Sequence, residues 1–549
     1  MSLVAPELSR RRGCKVALAV ILALQLGAVL HYAIQKQGLH IDEILSYHLA
    51  NAYFGGVYSP EPDYARWLEP AFFHDFVVVS KQHRFAYDSV LFNQGKDVHP
   101  PFYYVILHTI CSFFPDTYSK WYGLSLNAVL FVLCNVFLFL ISNRLFGDHL
   151  LSLLPSIIWG FSAGAVSTVI YIRMYMMLTT MIVIFVYCHV FLREEETSPK
   201  AVAVVSLVTL FGFLTQYYFL IFAFFWASLY CLFLLIEYKW RQLLRYAIGL
   251  LGALFIGYLI FPQSTYHVFS SYRGEAAAAT LSSISDLPSR LRAMVGILSA
   301  QQFGGFLKEL VAIVTCLFVL ELIVASISTP ANPGQHTSSP SIVQTIALTL
   351  HSVRAFVLAN FLLSSLTISV IATFIVVAKI SPFLTSRYLF FVYPVVSLIA
   401  VYCIYRVSSF FVRNSQMLGM GMLVLFAAAT TLAYKHGSID YLYSDYDAVL
   451  STAKAYGNYD CIYVTDRLWV VESNIFELAN FRRTYAIRSA SVMSLPDILK
   501  DPADAKGIIL YIDDTANTEG MLQNVLAYSG FESSEFLYST DYSRTYLVK

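Results

Sequence analysis

The feature that most constrains this 549-residue chain is a succession of long apolar stretches. An α-helix needs about 20 apolar residues to cross the hydrocarbon core of a bilayer. Because 57% of the residues are hydrophobic and only 13% are charged, a soluble globular protein is excluded. We therefore predict a mostly α-helical polytopic membrane protein with about eleven transmembrane helices. The apolar stretches lie at 15–34, 121–142, 150–170, 176–192, 200–216, 217–237, 246–262, 307–328, 355–379, 388–406 and 415–433.

Successive short loops lie on alternate sides of the predicted membrane, and the loops that carry basic residues all fall on one side. Arg144 and the basic residues within 239–245 and 406–413 fall on the same side. Since cytoplasmic loops are enriched in Lys and Arg, this pattern predicts a cell-membrane protein with a cytoplasmic N-terminus. The loop 35–120 and the tail 435–549 are then expected on the extracytoplasmic side.

The composition divides the chain into two predicted domains. Residues 1–434 contain every apolar stretch and are expected to form a membrane-embedded domain. Residues 435–549 have the composition of a water-soluble segment, with strand candidates at 461–466 and 507–514. This pattern predicts a small C-terminal α/β domain. The apolar segment 102–114 is too short to span a bilayer, so we expect an interfacial helix there.

Two neighbouring carboxylates, Asp42 and Glu43, follow the first apolar stretch on the side expected to face outward. A carboxylate at this boundary could act as a general base for a reaction at the membrane surface. Adjacent residues of a helix point about 100° apart, so one carboxylate would react and the other would support it. The alternative is that Asp42 caps the following helix, because Asp is a favoured N-cap residue.

Asp97 and His99 lie in the same loop, in the segment Asp97-Val98-His99-Pro100-Pro101. The imidazole of His99 could bind a metal ion, a phosphate or an acceptor hydroxyl. A structural role beside the prolines is the alternative for this histidine.

Several cations fall at or near the outer membrane boundary, where the positive-inside rule disfavours them. A lipid-linked phosphate would compensate for this charge, because Arg matches phosphate oxygens with a planar fork. The alternative is that the side chains extend to lipid headgroups. Tyr175, like other aromatic residues near these cations, could stack on a sugar or simply belong to the membrane-interface belt. The cations are Arg173, Arg273, Lys379 and Arg387, and Tyr388 adjoins the last of them.

These segments together resemble the polyprenyl-phosphate-dependent type-C glycosyltransferases. This group includes the protein O-mannosyltransferases and the transferases that modify lipid A. The matching segments keep their order from position 42 to position 394 and share the expected outer placement. They are Asp42-Glu43, HPPFYY at 99–104, RMY at 173–175, YRGEA at 272–276 and RYLFFVYP at 387–394.

The resemblance implies a GT-C-like bundle and a chemical role for Asp42. In that group the first-loop Asp removes a proton from the acceptor while the sugar leaves its lipid phosphate with inversion. Many bacterial members have an acidic residue two positions before the Arg of the RMY segment, where this chain has Tyr171. Some members use a divalent metal and others do not, and Asp97 and His99 are the candidate ligands here. No other cofactor is implied.

We therefore expect an inverting hexosyl- or pentosyltransferase that uses a polyprenyl-phosphate-linked sugar and an extracytoplasmic glycan, lipid or protein acceptor. A membrane polysaccharide polymerase or ligase is the nearest enzymatic alternative. A lipid-linked glycan transporter or flippase would favour inverted repeats and charges at mid-membrane. A non-enzymatic assembly scaffold would explain the tail but not the carboxylate pair. With a net charge of +1 and no basic block, nucleic acid is excluded as a partner.

Overall fold

The computed structural model describes residues 4–58, 64, 66–194, 197–281, 286–328, 361–436, 439–500 and 506–549. The chain divides into two compact units. Unit 1 comprises Met1–His31, Asn127–Ile170 and Met174–Asp440, and unit 2 comprises Tyr32–Leu126, Tyr171–Arg173 and Tyr441–Lys549. The tail therefore shares a compact unit with the loop 35–120. The predicted domain boundary between residues 434 and 435 stays a prediction.

Apolar helices form almost all of unit 1. Within the described residues, eight helices are long and apolar enough to cross a membrane, and the number rises to ten when each of two bent pairs counts as one span. The main helices are Val4–Gln35, Lys120–Phe146, His149–Gly160, Ala163–Ile170, Tyr175–Glu194, Pro199–Phe213, Tyr218–Ile236, Trp240–Ile260, Leu287–Phe303, Leu307–Ser328, Phe361–Ile380, Tyr393–Phe411 and Ser415–Lys435. The first two continue into unit 2. Shorter helices lie at Ser264–Phe269, Tyr272–Leu281, Ser386–Tyr388 and Phe390–Val392.

The prediction of a mostly α-helical, multi-pass membrane protein is confirmed. Each predicted apolar stretch contains an apolar helix, although residues 355–360 lie outside the described part of the chain. The predicted number of about eleven spans exceeds the eight to ten found among the described residues, and helices of the chain also differ in shape and length from the prediction. The helices Leu287–Phe303 and Leu307–Glu321 form a pair bent by 86°. The stretch 150–170 is bent by 58° between its two helices, and the helix Pro199–Phe213 has only 15 residues. At the bend, Ser162 Oγ accepts a hydrogen bond from Ala165 N at 3.0 Å, which caps the second helix.

Unit 2 contains a five-stranded sheet and a set of short helices. The strands are β1 (Asp460–Val464), β2 (Thr484–Ile487), β3 (Ile508–Asp513), β4 (Ser534–Ser539) and β5 (Ser543–Val548). Its helices are Ile41–Asn51, Pro70–Asp75, Lys81–His83, Tyr87–Lys96, Phe102–Ser112, Tyr446–Ala455, Trp469–Glu472, Ile475–Leu478, Ser489–Ser494, Leu495–Ile498 and Thr518–Ser529. The short apolar helix predicted at 102–114 and the C-terminal α/β structure are both present.

The strand order in the sheet is β2-β1-β3-β5-β4. The pairs β1–β2 and β1–β3 are parallel, with Cys461 opposite Thr484 and Ile462 opposite Leu510, whereas β5 runs antiparallel to both β3 and β4. Every residue of β1 and β3 is buried. Continuous burial is expected for parallel strands that are covered on both faces, and it explains why these two runs lack alternation in the sequence.

The loop 35–120 pairs directly with the sheet. Leu68 N donates to Thr484 O at 2.8 Å, and Thr484 N donates back to Leu68 O at 2.9 Å. Trp67 packs against the sheet core, and the guanidinium of Arg483 lies 4.1 Å from the centre of its ring. These contacts continue the edge beyond β2 and explain why loop and tail form one compact unit.

Candidate active site

The site begins at the first turn of the helix Ile41–Asn51, which is fixed by a capping box. His40 is the N-cap residue, and its Nδ1 accepts a hydrogen bond from Asp42 N at 3.1 Å. Glu43 Oε2 accepts from His40 N at 2.9 Å in return. The alternative in which Asp42 caps this helix is therefore wrong, because the N-cap residue is His40 and its side chain accepts from Asp42 N. The carboxylate of Asp42 therefore takes no part in the cap and contacts Tyr171 and Arg173 instead.

The carboxylate of Asp42 is partly exposed and held from two sides. Tyr171 donates its hydroxyl proton to Asp42 Oδ2 at 2.9 Å. Arg173 donates to the backbone oxygen of Asp42 at 2.6 Å, and its guanidinium lies 3.9 Å from Asp42 Oδ1. The Asp42 side chain retains 22% exposure, against 5% for Arg173. A carboxylate that is oriented by fixed donors and still reachable from solvent has the geometry that a general base requires.

Glu43 is fully buried and accepts three hydrogen bonds. Its donors are Lys36 Nζ at 3.0 Å, Ile172 N at 2.8 Å and His40 N at 2.9 Å. Burial raises the pKa of Glu43 and lowers the pKa of Lys36, and the attraction between the two opposes both changes. Glu43 has no exposed surface, so it matches the member of the predicted carboxylate pair that supports the other. Its hydrogen bond from Ile172 N connects the start of the helix to the segment 171–173.

Asp97, His99 and Arg173 form a second polar group. His99 Nδ1 lies 2.7 Å from Asp97 Oδ2 and 3.4 Å from Arg173 NH2. Burial acts to raise the pKa of Asp97, but His99 and Arg173 together lower it below its usual value. An ionised carboxylate only accepts hydrogen bonds, and both His99 and Arg173 can donate. The structure thus brings together four predicted residues: Asp42, Asp97, His99 and Arg173.

Two aromatic residues of this site were not among the predicted site residues. Tyr171 is fully buried, and its ring stacks on Tyr441 with the ring centres 4.0 Å apart. Tyr441 also meets His40 edge to face at 5.6 Å. Its backbone has a φ of 63°, a left-handed conformation that costs free energy in a non-glycine residue. The sequence marked position 171 only as a departure from relatives, and nothing in the sequence near Tyr441 indicated a functional site.

Lys379, a predicted phosphate ligand, pairs with a carboxylate of unit 1. Its ammonium donates to Asp286, and Arg290 lies beside the same carboxylate at 3.9 Å. The Lys379 side chain is only 8% exposed. A protein carboxylate thus already compensates this cation, which weakens the argument that a lipid phosphate must do so.

The other predicted residues of unit 1 meet in an aromatic patch. The guanidinium groups of Arg273 and Arg387 lie 5.4 Å and 6.0 Å from the ring centre of Phe383. Arg387 also lies 5.3 Å from the ring centre of Tyr388, which in turn contacts Tyr175 edge to face at 6.3 Å. Contact with aromatic rings orients a guanidinium group. Phosphate binding by Arg273 and Arg387 stays a prediction.

No group of three or more His, Cys, Asp or Glu side chains is arranged to hold a metal ion in the described part of the chain. Asp97 and His99 are the predicted metal ligands, and their closest polar contacts are with each other and with Arg173. A divalent metal at these two residues stays a prediction.

No protein-family model and no curated protein matches this chain. Solved structures are similar to it over nearly its full length. ArnT from Cupriavidus metallidurans bound to undecaprenyl phosphate is 10% identical with a TM-score of 0.49, and the match covers 96% of this chain and 97% of that one. The Archaeoglobus fulgidus oligosaccharyltransferase in its apo form is 11% identical with a TM-score of 0.43, covering 95% and 74%. The oligosaccharyltransferase AglB of the same organism, with an inhibitory peptide and a dolichol-phosphate, is 12% identical with a TM-score of 0.42, covering 97% and 74%. Identities and TM-scores of this size describe a distant likeness.

Proposed function

We propose that this protein is an integral-membrane glycosyltransferase that moves one sugar from a polyprenyl-phosphate carrier to an extracytoplasmic acceptor. One observation carries the proposal: Asp42 is a partly exposed carboxylate held by Tyr171 and Arg173 at the start of a capped helix. This arrangement lies in a loop that follows the first apolar helix of a multi-pass membrane protein. A base at that boundary could reach a lipid-linked substrate.

In the proposed reaction, Asp42 accepts the proton of an acceptor hydroxyl. The acceptor oxygen forms a bond to the anomeric carbon of the sugar, and the bond from that carbon to the phosphate oxygen breaks. The electron pair leaves with the carrier as polyprenyl phosphate. Because the acceptor attacks opposite the leaving group, the anomeric configuration is inverted. A positioned general base contributes about 10² to 10⁴ in rate.

The neighbouring residues have supporting roles in this mechanism. Tyr171 donates to one oxygen of Asp42, so the other oxygen is the one that takes the proton. Glu43, bonded to Ile172 N, is a positioning residue that keeps Tyr171 and Arg173 beside Asp42. The stacked guanidinium of Arg387 is proposed to bind the carrier phosphate and stabilise its charge as it leaves.

The test uses cells that lack this protein and are complemented with wild type, Asp42→Asn or Asp75→Asn. Asn keeps the shape of Asp42 and still accepts from Tyr171, but it cannot take a proton. Asp75 is a matched control in the same loop, with 74% of its side chain exposed. Mass spectrometry of lipid extracts and of surface glycans gives the readout.

We expect a lipid-linked monosaccharide to accumulate in the deletion cells and with Asp42→Asn, and to be consumed with wild type and Asp75→Asn. The accumulating lipid names the donor. Purified Asp42→Asn should then transfer that sugar at least about 10²-fold more slowly than wild type. Unchanged lipid carriers in the deletion cells would refute the proposed function, and wild-type turnover by Asp42→Asn would refute the role of Asp42.

A further inference from the structure

Unit 2 contains a cavity of about 480 Å³ that lies beside the start of the Asp42 helix. Leu39 and Ile41, the two neighbours of the N-cap residue His40, form one wall. Residues of the tail form the rest, including Tyr446, Glu477 and Asp541. A volume of this size is in the range of small-molecule sites.

Two buried side chains in this cavity offer hydrogen-bond acceptors. Glu477 is fully buried, and the Tyr446 hydroxyl donates to its carboxylate. Burial raises the pKa of Glu477 to about 7, and this hydrogen bond opposes the rise. Asn474, one turn before it, donates to Tyr463 through Nδ2, while its Oδ1 has no partner. Buried polar atoms are nearly always paired, so the unpaired Asn474 Oδ1 beside a buried carboxyl group indicates a ligand that donates.

The charge of the lining excludes an anionic ligand. Asp445, Glu477 and Asp541 contribute carboxyl groups, and the residues that line the cavity include no Lys, Arg or His. A phosphate or carboxylate in this place would meet like charge and no compensating cation. Hydroxyl groups or an ammonium group would instead find acceptors, and the remaining lining is rich in Ser, Thr and Tyr side chains.

The backbone around the cavity allows aromatic side chains to pack closely against it. A Cβ on Gly38 would come within 2.7 Å of the Tyr446 ring, so the absence of a side chain lets that ring pack beside Leu39. Tyr441 and Tyr443 both have positive φ values, 63° and 48°. This strained loop places Tyr441 against Tyr171 and directs the Tyr443 hydroxyl to Asp541 at 2.8 Å. Strain of this kind is kept where the surrounding structure requires it.

We propose that this cavity binds the acceptor by a hydroxyl-rich end that carries no phosphate, with Glu477 and Asn474 accepting its hydrogen bonds, an inference that rests on the glycosyltransferase function proposed above. The segment Leu39–Asp42 then contributes both to acceptor binding and to the reaction. Leu39 and Ile41 line the acceptor cavity, and Asp42 takes the acceptor proton. The lack of cations separates this cavity from any site for the carrier phosphate.

The test measures glycoside binding to the full-length protein in nanodiscs by saturation-transfer NMR. The probes are methyl glucoside, methyl glucosaminide and glucose 6-phosphate. Ser539→Trp fills the exposed rim of the cavity, and Glu477→Gln removes one carboxylate without changing its shape. Ser534→Trp, at the exposed other end of the same strand, and Asp447→Asn, on the neighbouring helix, are the matched controls.

We expect saturation transfer to the neutral and amino glycosides, but not to the phosphate, in wild type and both controls. The signal should vanish in Ser539→Trp, and binding should weaken about tenfold in Glu477→Gln, because the amide exchanges one acceptor oxygen for a donor and one hydrogen bond is lost. Equal signals in wild type and Ser539→Trp, or preferred binding of glucose 6-phosphate, would overturn the assignment.

The outcome for this cavity is separable from that for the enzyme. If the lipid-linked monosaccharide accumulates in deletion cells but Ser539→Trp binds glycosides and transfers sugar like wild type, the cavity assignment alone is wrong. If glycosides bind in the cavity but deletion leaves all lipid carriers unchanged, the ligand is not an acceptor and the inference fails with the proposed function.

Discussion

Removing the buried ammonium group of Lys36 should lower the free energy of unfolding of unit 2 far more than removing the ammonium group of an exposed lysine. Lys36 and Glu43 have no exposed side-chain surface, and their N–O distance is 3.0 Å. Lys36 also donates to Tyr441 O at 2.5 Å. In Lys36→Met the carboxylate of Glu43 stays buried without a counter-charge, and the Tyr441 carbonyl loses its donor. Breaking a buried pair from one side costs about 3–5 kcal/mol.

The matched control is Lys81→Met. Lys81 pairs with Asp116 at 3.5 Å in the same unit, but the two side chains are 74% and 47% exposed. Such surface pairs contribute about 0–1 kcal/mol, because water and salt screen them. The free energy of unfolding should therefore separate the two Lys→Met variants by about 2 kcal/mol or more. Reversible unfolding in mixed micelles, followed by tryptophan fluorescence, measures this difference.

Two further measurements on the same variants identify the cause. In Lys36→Met, Glu43 loses the partner that lowers its pKa, so its folded pKa rises further above the unfolded value of 4.5. The destabilisation relative to wild type should then shrink as the pH falls from neutral toward that value, because a protonated Glu43 needs no counter-charge. In the double variant Lys36→Met/Glu43→Gln the cost should be less than the sum of the single costs. Strict additivity, or a Lys36→Met cost no larger than that of Lys81→Met, would refute the buried-pair interpretation.

Arg387→Lys should insert normally and raise the donor concentration needed for half-maximal rate about tenfold, because Lys keeps the charge but loses the planar fork that matches phosphate oxygens. Arg387→Ala should be worse, and equal donor dependence in wild type and both variants would remove Arg387 from the site. A fluorescent reporter that matures only in the cytoplasm should stay dark when fused after Lys549, because the basic loops predict an extracytoplasmic tail. Strong fluorescence there would overturn the predicted orientation.

The apolar helices followed directly from the sequence. In lipid a backbone must satisfy its own hydrogen bonds, so a run of about 20 apolar residues has few alternatives to a helix. Bends were less accessible to prediction. The 58° break before Ala163 depends on a serine cap inside an apolar run, and composition does not distinguish that from a continuous span.

The candidate site was predictable only in part. Asp42, Asp97, His99 and Arg173 are ionisable residues in otherwise apolar or aromatic surroundings, so the sequence singled them out, and the structure groups them. The partners that orient them were not visible. Tyr171 lies 129 positions from Asp42 along the chain, and Lys36 contacts the Tyr441 backbone 405 positions away. A tyrosine hydroxyl or a backbone carbonyl gives no pattern in a sequence this rich in tyrosine.

The sequence by itself determined that this chain crosses a membrane many times and that its ionisable residues concentrate in a few polar segments. These properties depend on local composition and on the cost of burying charge in lipid. Only the tertiary structure decided that the loop 35–120 and the tail build one unit, that Glu43 is fully buried against Lys36, and that Glu477 lines a cavity beside Leu39. Such facts depend on which distant segments pack together, and side-chain burial and pairing are properties of that packing rather than of any local sequence pattern.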